Sequence, residues 1–231
     1  MTPAPCAGST EIAAARIVRV EKNGALILGD GRAAMLAGIR LPFNDGGPPA
    51  LADDALHALT ALALAGPLTL TAVPPKEDRY DRVRVQAFGN SWLQTELLQR
   101  GLARVDVAPD RAECVRELYA AEKTARDAGT GLWAFPAFAI RAPENVKPSD
   151  GFVLVEGKVA NSTLRDGQVT LDFGRGFSAI IASGDRRLFR GTNPAPENLA
   201  GHVLRVRGLV QNLGGRPSIA LYTPADIEFI N

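Results

Sequence analysis

An alternation of apolar and polar residues between positions 11 and 40 is the feature that most constrains the fold. It runs through AARIVRV, ALIL and AAMLAGI, and the dipeptides Asn23-Gly24 and Asp30-Gly31 interrupt it. A period of two places one face of each segment in a core, and Asn-Gly and Asp-Gly favour tight hairpin turns. The sequence therefore predicts a meander of short strands at the start of the first domain.

Three helices and two further strands are predicted after this meander. The first helix begins at Pro48, where apolar residues adopt helical spacing, and ends before Gly66-Pro67. The strands LTLTAV and RVRVQAF follow it. The second helix, in SWLQTELLQRG, is expected to start at a cap on Ser91 and to end at Gly101. The third helix runs over residues 110–128, so this domain mixes α and β elements.

A second domain is predicted after a segment rich in proline. Residues 135–150 carry three prolines and no stable periodicity, which is typical of a linker. Five strand patterns follow, in FVLVEGKV, QVTLDFG, FSAIIA, HVLRVRGLV and SIALY, with a gap at 185–199. This pattern favours a small OB-like barrel, although β-sandwiches and SH3-like barrels share it. The predicted organisation is a tail (1–11), a first domain (12–134), the linker and an all-β domain (151–231).

The charge balance gives no sign of a general affinity for polyanions. Lys and Arg total 26 against 25 Asp and Glu, and residues 151–231 hold 9 basic and 7 acidic side chains. Because phosphate binding needs clustered surplus cation, any nucleic-acid role depends on a local patch. The chain contains no apolar run long enough to span a membrane, so a membrane span is not expected.

The two cysteines and the first ten residues are the features of the sequence that indicate where the protein is located. Cys6 and Cys114 are compatible with one disulfide in an exported protein, whereas Cys114 also fits a buried apolar position of the third helix. The start MTPAPCAGST is typical of a mature N-terminus more than of a cytosolic one. A periplasmic or exported location is therefore favoured over a cytoplasmic one.

Four motifs in register resemble the thermonuclease (staphylococcal nuclease-like) family over residues 12–134. They are DGRAAMLAGIRLP, DRYDRVRVQAF, WLQTELLQRGLARV and AAEKTARDAGTGLW. The family pattern has a strand ending Leu-x-Gly-Ile-Asp-x-Pro-Glu, then Asp-x-Tyr-Gly-Arg, a Gly-Leu-Ala helix end, and a last helix closing on Gly-Leu-Trp. The resemblance implies the nuclease fold, an OB-type barrel with three helices. It also implies metal-assisted phosphodiester hydrolysis by two aspartates on Ca²⁺, a glutamate base and two arginines.

Four of these five working groups are replaced in this sequence. The first aspartate falls at about Gly24, the first arginine at Met35, the second aspartate at Arg40 and the glutamate at Phe43. Only the second arginine is retained, as Arg82. A cation at position 40 opposes Ca²⁺ binding, and Phe43 cannot accept a proton. No cofactor is therefore expected, and Ca²⁺ only if the site is active.

Two alternatives remain open for individual residues of the first domain. Glu21, Asp30 or Asp45 could substitute for the missing carboxylates, although their spacing does not favour this over solvated loop residues. Arg82 could contact a phosphate, with Tyr80 beside it as in the family's nucleotide pocket, or it could pair with a neighbouring aspartate.

Arginines form the candidate binding residues of the second domain. Arg205 and Arg207 alternate with apolar residues on one strand, and Arg216 lies in a Gly-Gly turn. A basic face on an OB-like domain suits single-stranded nucleic acid, whereas charged outer faces are also ordinary on barrels.

The sequence thus favours a catalytically degenerate nuclease-like protein that binds or scaffolds. Its partner is single-stranded nucleic acid or a protein. The alternatives are an active metal-dependent nuclease with a rearranged site and an exported structural protein of the cell envelope.

Overall fold

The structure is a computed structural model of the 231-residue chain. It describes residues 10–12, 16–43, 45–78, 80–107, 115–174 and 176–230, without the side chains of residues 10 and 74–76. The chain divides into two compact units, with the boundary between residues 137 and 138. Among the described residues, no helix has the length and apolar character needed to cross a bilayer.

The first unit is an α+β domain. Its strands are β1 (Thr10–Glu11), β2 (Ile17–Val20), β3 (Leu26–Leu28), β4 (Ala33–Leu36), β5 (Gly38–Arg40), β6 (Thr69–Glu77), β7 (Val83–Phe88) and β8 (Arg104–Asp106). Its helices are α1 (Pro49–Leu64), α2 (Leu93–Gln99) and α3 (Val115–Ala128). The strand meander and the three helices predicted from the sequence are confirmed, although the predicted start of the third helix, at residue 110, lies outside the described residues.

The pairing order of the strands begins and ends in two strands that are consecutive in the chain. Six of them pair as β1-β6-β7-β4-β3-β2, and β4 runs parallel to β7. Since β1 and β2 are consecutive in the chain, both ends of the path lie in residues 10–20, an arrangement we call the strand circuit. The two remaining strands, β5 and β8, form a separate antiparallel pair. Closure of the sheet into a barrel stays a prediction.

The sequence predicts the C-terminal end of α2 correctly but not its N-terminal cap. Gly101 follows α2 with φ of 66°, and the backbone N–H groups of Gly101 and Leu102 bond to the carbonyls of Leu98 and Leu97. This is the double hydrogen bond of a Schellman motif, so the predicted Gly101 stop is confirmed. The predicted Ser91 cap is wrong, because α2 begins after Trp92 and no side chain caps it.

Two glycines of the first unit meet backbone to backbone. A Cβ atom on Gly101 would lie 2.3 Å from the carbonyl oxygen of Thr130, and one on Gly131 would lie 2.3 Å from the oxygen of Gly101. The N–H of Leu132 donates to that same oxygen at 2.8 Å. Only glycine fits at either position, which ties the end of α2 to the turn that contains Trp133.

The second unit is rich in β-strands and resembles a barrel-like domain. Its strands are β9 (Phe152–Lys158), β10 (Asn161–Arg165), β11 (Gln168–Asp172), β12 (Ser178–Ile181), β13 (Val203–Leu213), β14 (Arg216–Ala220) and β15 (Ile227–Phe229). The five predicted strands are all present. The sequence missed β10, which is largely exposed and has no apolar alternation, and β15, which has three residues.

The second unit repeats the strand circuit of the first. Its strands pair as β10-β11-β12-β14-β13-β9, with β12 parallel to β14, and β9 and β10 are consecutive in the chain. In place of α1, the gap after β12 holds two short 3-10 helices, Arg186–Phe189 and Pro196–Asn198.

The structure places residues 138–150, treated above as linker, within the second unit. The N–H of Arg141 donates to the carbonyl of Leu154, and its own carbonyl accepts from the N–H of Glu156, both at 2.9 Å. Cys6 and Cys114 lie outside the described residues, so the disulfide stays a prediction.

Candidate functional site

All four substituted positions lie around one cavity. The cavity has a volume of about 240 Å³, and Gly24, Met35, Arg40 and Phe43 all line it. Asp106, on β8, lines it as well. The positions that the family resemblance assigns to catalysis thus converge in space, but the groups they carry are apolar or cationic.

At Gly24 there is no room for the carboxylate of the family pattern. Gly24 has φ of 82° in the turn after β2, and a Cβ atom there would lie 2.8 Å from Leu41 and 3.2 Å from Phe43. Two apolar side chains therefore occupy the space that a side chain at position 24 would need. A Gly24→Asp change alone would have to displace both.

Arg40 is held in place by an ion-pair cluster made of Arg40, Asp45 and Arg104. The Nε and Nη2 atoms of Arg40 donate to the two carboxylate oxygens of Asp45, each at 3.1 Å. Arg104 donates to Asp45 at 2.6 Å. The side chains of Asp45 and Arg104 are 3% and 1% exposed. Because Arg40 and Arg104 are directly opposite in the β5–β8 pair, Asp45 neutralises two like charges that would otherwise repel.

The surroundings shift the pKa values of Arg40 and Arg104 in opposite directions, and both side chains stay charged. Burial lowers the pKa of Arg40, but the hydrogen bonds and charges of Asp45 and Asp106 outweigh it and raise the pKa above its usual value. Burial lowers the pKa of Arg104, and the charge of Asp45 opposes this lowering. Guanidinium groups remain protonated throughout the physiological range, so the cavity wall keeps a fixed positive charge.

The residues around the cavity do not fit Ca²⁺. Among the described residues that line it, Asp106 supplies the only carboxylate, and Arg40 Nη1 lies 3.8 Å from that carboxylate. Ca²⁺ takes six to eight oxygen ligands, roughly, and a neighbouring cation opposes it. Within the described part of the chain, no group of three or more His, Cys, Asp or Glu residues is arranged to hold a metal.

The three carboxylates considered as substitutes are each paired with an arginine. Glu21 accepts from Arg19 at 3.1 Å, and Asp30 pairs with Arg32 at 2.6 Å. Asp45 belongs to the ion-pair cluster. None of the three lines the cavity.

Arg82 lies on a surface turn and does not line the cavity. Its Nε donates to Asp78 at 2.8 Å, and its guanidinium lies 4.9 Å from the ring centroid of Tyr80. Asp78 also accepts from the backbone N–H groups of Tyr80 and Arg82, and these bonds lower its pKa although burial raises it. Tyr80 is 60% exposed. The structure therefore supports pairing of Arg82 with a neighbouring aspartate, the second of the two alternatives.

The basic face predicted on the second unit is neutralised. Arg205 donates to Glu156 at 2.6 Å and also pairs with Glu228, and Arg207, which is 2% exposed, pairs with Glu228 as well. Arg216 is exposed at the start of β14 and makes no ion pair with the described residues. Of the three predicted binding arginines, the structure leaves Arg216 alone accessible.

The strand circuit and the three helices make the first unit an α+β domain. Residues 50–135 match the family described as staphylococcal nuclease homologue, so the chain contains a staphylococcal nuclease-like domain. The matched segment includes Tyr80, Arg82 and Asp106, and it begins after the strands that contribute Gly24 to Phe43. None of the curated proteins matches the chain.

Sequence reasoning missed two features, one beside this cavity and one in the second unit. Arg104 and Asp106 come next to the cavity through the pairing of β8 with β5, which joins segments about sixty residues apart. No local pattern reports such a pairing. Arg186, Arg187 and Arg190 lie in the gap predicted at 185–199, but no sequence pattern indicates that they surround a cavity.

Proposed function

We propose that this protein is a catalytically degenerate member of the nuclease-like class that acts as a binding or scaffolding module. The staphylococcal nuclease-like domain indicates a nuclease-type or nucleic-acid-binding family. The observation that carries the degenerate reading is the wall of the cavity, where Arg40 is locked onto Asp45 and Phe43 fills the position of the general base.

The geometry argues against a reaction for three physical reasons. Asp106 gives a hard cation one carboxylate where such a cation needs several oxygen ligands, Phe43 cannot accept a proton at the position of the family's base, and the retained Arg82 lies on a surface turn instead of the cavity. Loss of each such group normally costs orders of magnitude in rate, and these losses fall on one site. An exported location belongs to the same proposal.

The test is cleavage of single-stranded DNA and RNA at high protein concentration, with Ca²⁺ titrated against a chelator. Three preparations are compared: wild type, Arg82→Ala and Arg32→Ala. Arg32 is an exposed arginine of the same unit, paired with Asp30 as Arg82 is with Asp78, so it is a matched control. We expect no cleavage above background in any preparation.

Metal-dependent cleavage that is lost in Arg82→Ala and kept in Arg32→Ala would overturn the proposal in favour of an active nuclease. Cleavage at an equal rate in all three would show that Arg82 takes no part in it, and its loss on further purification would identify a contaminating nuclease. The class of partner follows from the salt dependence of binding, because phosphate neutralisation gives a linear log-log slope that an apolar protein interface lacks.

A further inference from the structure

A cluster of three arginines in the second unit surrounds a cavity that the sequence analysis did not predict. The cavity has a volume of about 560 Å³ and lies beside the segment that follows β12. Three arginines line it, Arg186, Arg187 and Arg190, and Glu197 is the one carboxylate among its lining residues. The lining therefore carries a surplus of two positive charges.

Two of the three arginines are available to a ligand. Arg187 and Arg190 are exposed, and neither makes an ion pair with any described residue. Arg186 donates to Glu197 at 3.1 Å, which fixes the direction of its guanidinium at the rim. This differs from Arg205 and Arg207, whose charges are engaged by glutamates.

The remaining lining groups favour an anion over an apolar or a stacked ligand. Ser183 places a hydroxyl in the lining, and Thr192 donates its hydroxyl to the carbonyl of Phe189 at 2.9 Å. Phe189 is the one aromatic residue of the lining, and it is 3% exposed, so it offers no face on which a base could stack. Guanidinium groups match the geometry and charge of phosphate oxygens.

The position of this cavity in the strand circuit is the same as that of the cavity in the first unit. In the first unit the lining combines the turn between β2 and β3 with the stretch that follows β4. In the second unit it combines the turn between β10 and β11 with the stretch that follows β12. Gly24, with φ of 82°, holds the turn position in the first unit, and Gly167, with φ of 79°, holds it in the second. A Cβ atom on Gly167 would lie 3.1 Å from Ser183, so these two parts of the lining are in contact.

We propose that this cavity is a phosphate-binding site, which takes a phosphoryl group through Arg186, Arg187 and Arg190 without reading a base. Its volume lies within the range of pockets that hold small-molecule ligands, roughly 300–1,000 Å³. The phosphate belongs either to a free phosphate compound or to the backbone of a single-stranded nucleic acid. The site is independent of whether the first unit cleaves.

The test measures binding of inorganic pyrophosphate by calorimetry and of fluorescent oligothymidylate and oligodeoxyadenylate by anisotropy, all in chelator. The double variant Arg187→Ala/Arg190→Ala is compared with Lys147→Ala/Lys158→Ala. Both lysines are exposed residues of the second unit outside the cavity lining, and the control removes the same two charges. Chelator keeps any metal-dependent cleavage by the first unit out of the readout.

We expect the arginine variant to weaken binding by about tenfold or more, and the lysine variant to leave it nearly unchanged. Pyrophosphate binding with this pattern identifies a free phosphate ligand. Binding of both oligonucleotides with this pattern, with similar affinity and a log-log salt slope lowered by about 0.7 per lost contact, identifies a nucleic-acid backbone. Equal losses in the two double variants would reduce the effect to general electrostatics, and no binding of any probe would refute the site.

Discussion

The two units use the same strand circuit but treat the cavity beside it in opposite ways. In the first unit, Leu41 and Phe43 crowd the turn glycine Gly24, and Arg40 is locked by Asp45. In the second unit, the small polar residue Ser183 faces Gly167, and Arg187 and Arg190 are exposed. The comparison shows that the same circuit can carry a crowded cavity or a cavity with exposed arginines, and that the residues after β4 and after β12 make the difference.

The largest expected effect in testing this comparison is that of Asp45→Asn. This change removes the negative charge of Asp45 from between the buried guanidinium of Arg104 and that of Arg40. We expect a loss of about 3–5 kcal/mol in the free energy of unfolding of the first unit. Urea denaturation followed by tryptophan fluorescence measures it, since both tryptophans, Trp92 and Trp133, lie in the first unit.

The control for this measurement is Asp30→Asn, which removes the carboxylate of an exposed pair in the same unit. It should leave the midpoint unchanged, since exposed pairs contribute little. Equal midpoints for Asp45→Asn and Asp30→Asn would mean that the ion-pair cluster does not hold the cavity wall.

The next effect is that of Glu228→Gln in the second unit, where one carboxylate again serves two arginines. Glu228 is 18% exposed, and Arg205 keeps its bond to Glu156 after the change. We expect a smaller loss than for Asp45→Asn, about 1.5–3 kcal/mol. Hydrogen exchange of the amides of β13 measures it. A loss larger than that of Asp45→Asn would reverse the ranking of the two clusters.

A third prediction concerns residues 138–150, which the sequence assigns to a linker and the structure to the second unit. A Cβ atom on Gly157 would lie 2.6 Å from Pro143, so Gly157→Ala should push this segment away from β9 at a cost of about 1–3 kcal/mol. The amide of Arg141, protected in wild type by its bond to Leu154, should then exchange faster. Gly151→Ala, where a Cβ meets nothing within 4 Å, is the control.

The smallest effect is that of Asp78→Asn, at the turn that holds Arg82. The pair is partly exposed, and we expect a loss of less than about 1 kcal/mol at neutral pH. Because the folded state lowers the pKa of Asp78, its contribution is complete above the ordinary aspartate pKa and is lost as the pH falls through the lowered value. Wild type and variant should therefore become equally stable only in acid. A difference that persists below both pKa values would contradict the assignment.

The sequence predicts those structural elements whose formation depends on residues close to them in the chain. The meander, α1 and the end of α2 at Gly101 follow from periodicity and from glycine geometry, which act within a few residues. Strand β10 escaped prediction because its exposed residues need no apolar pattern. The helix cap failed because Trp92, and not Ser91, precedes the first helical residue.

For the first site, the family resemblance names positions that lie together in space, and the structure supplies their partners. Gly24, Met35, Arg40 and Phe43 do line one cavity. The residue that decides the state of Arg40 is Asp45, and its second partner, Arg104, arrives by a long-range strand pairing. Likewise, whether an arginine is engaged, as Arg207 is, or exposed, as Arg187 is, depends on neighbours that sequence spacing does not reveal.

The contact between Gly101 and Gly131 has a consequence for how the first unit can vary. Because two main chains meet there with no side chain between them, their separation is fixed by the radii of the carbonyl and Cα atoms. A substitution elsewhere in the core can be accommodated when a neighbouring side chain changes its volume. The contact between Gly101 and Gly131 involves only backbone atoms, so no side chain there can adjust. In a saturation library of the first unit, neither Gly101 nor Gly131 should therefore tolerate any replacement. Such a result would show that the contact between the end of α2 and the Trp133 turn cannot vary in sequence.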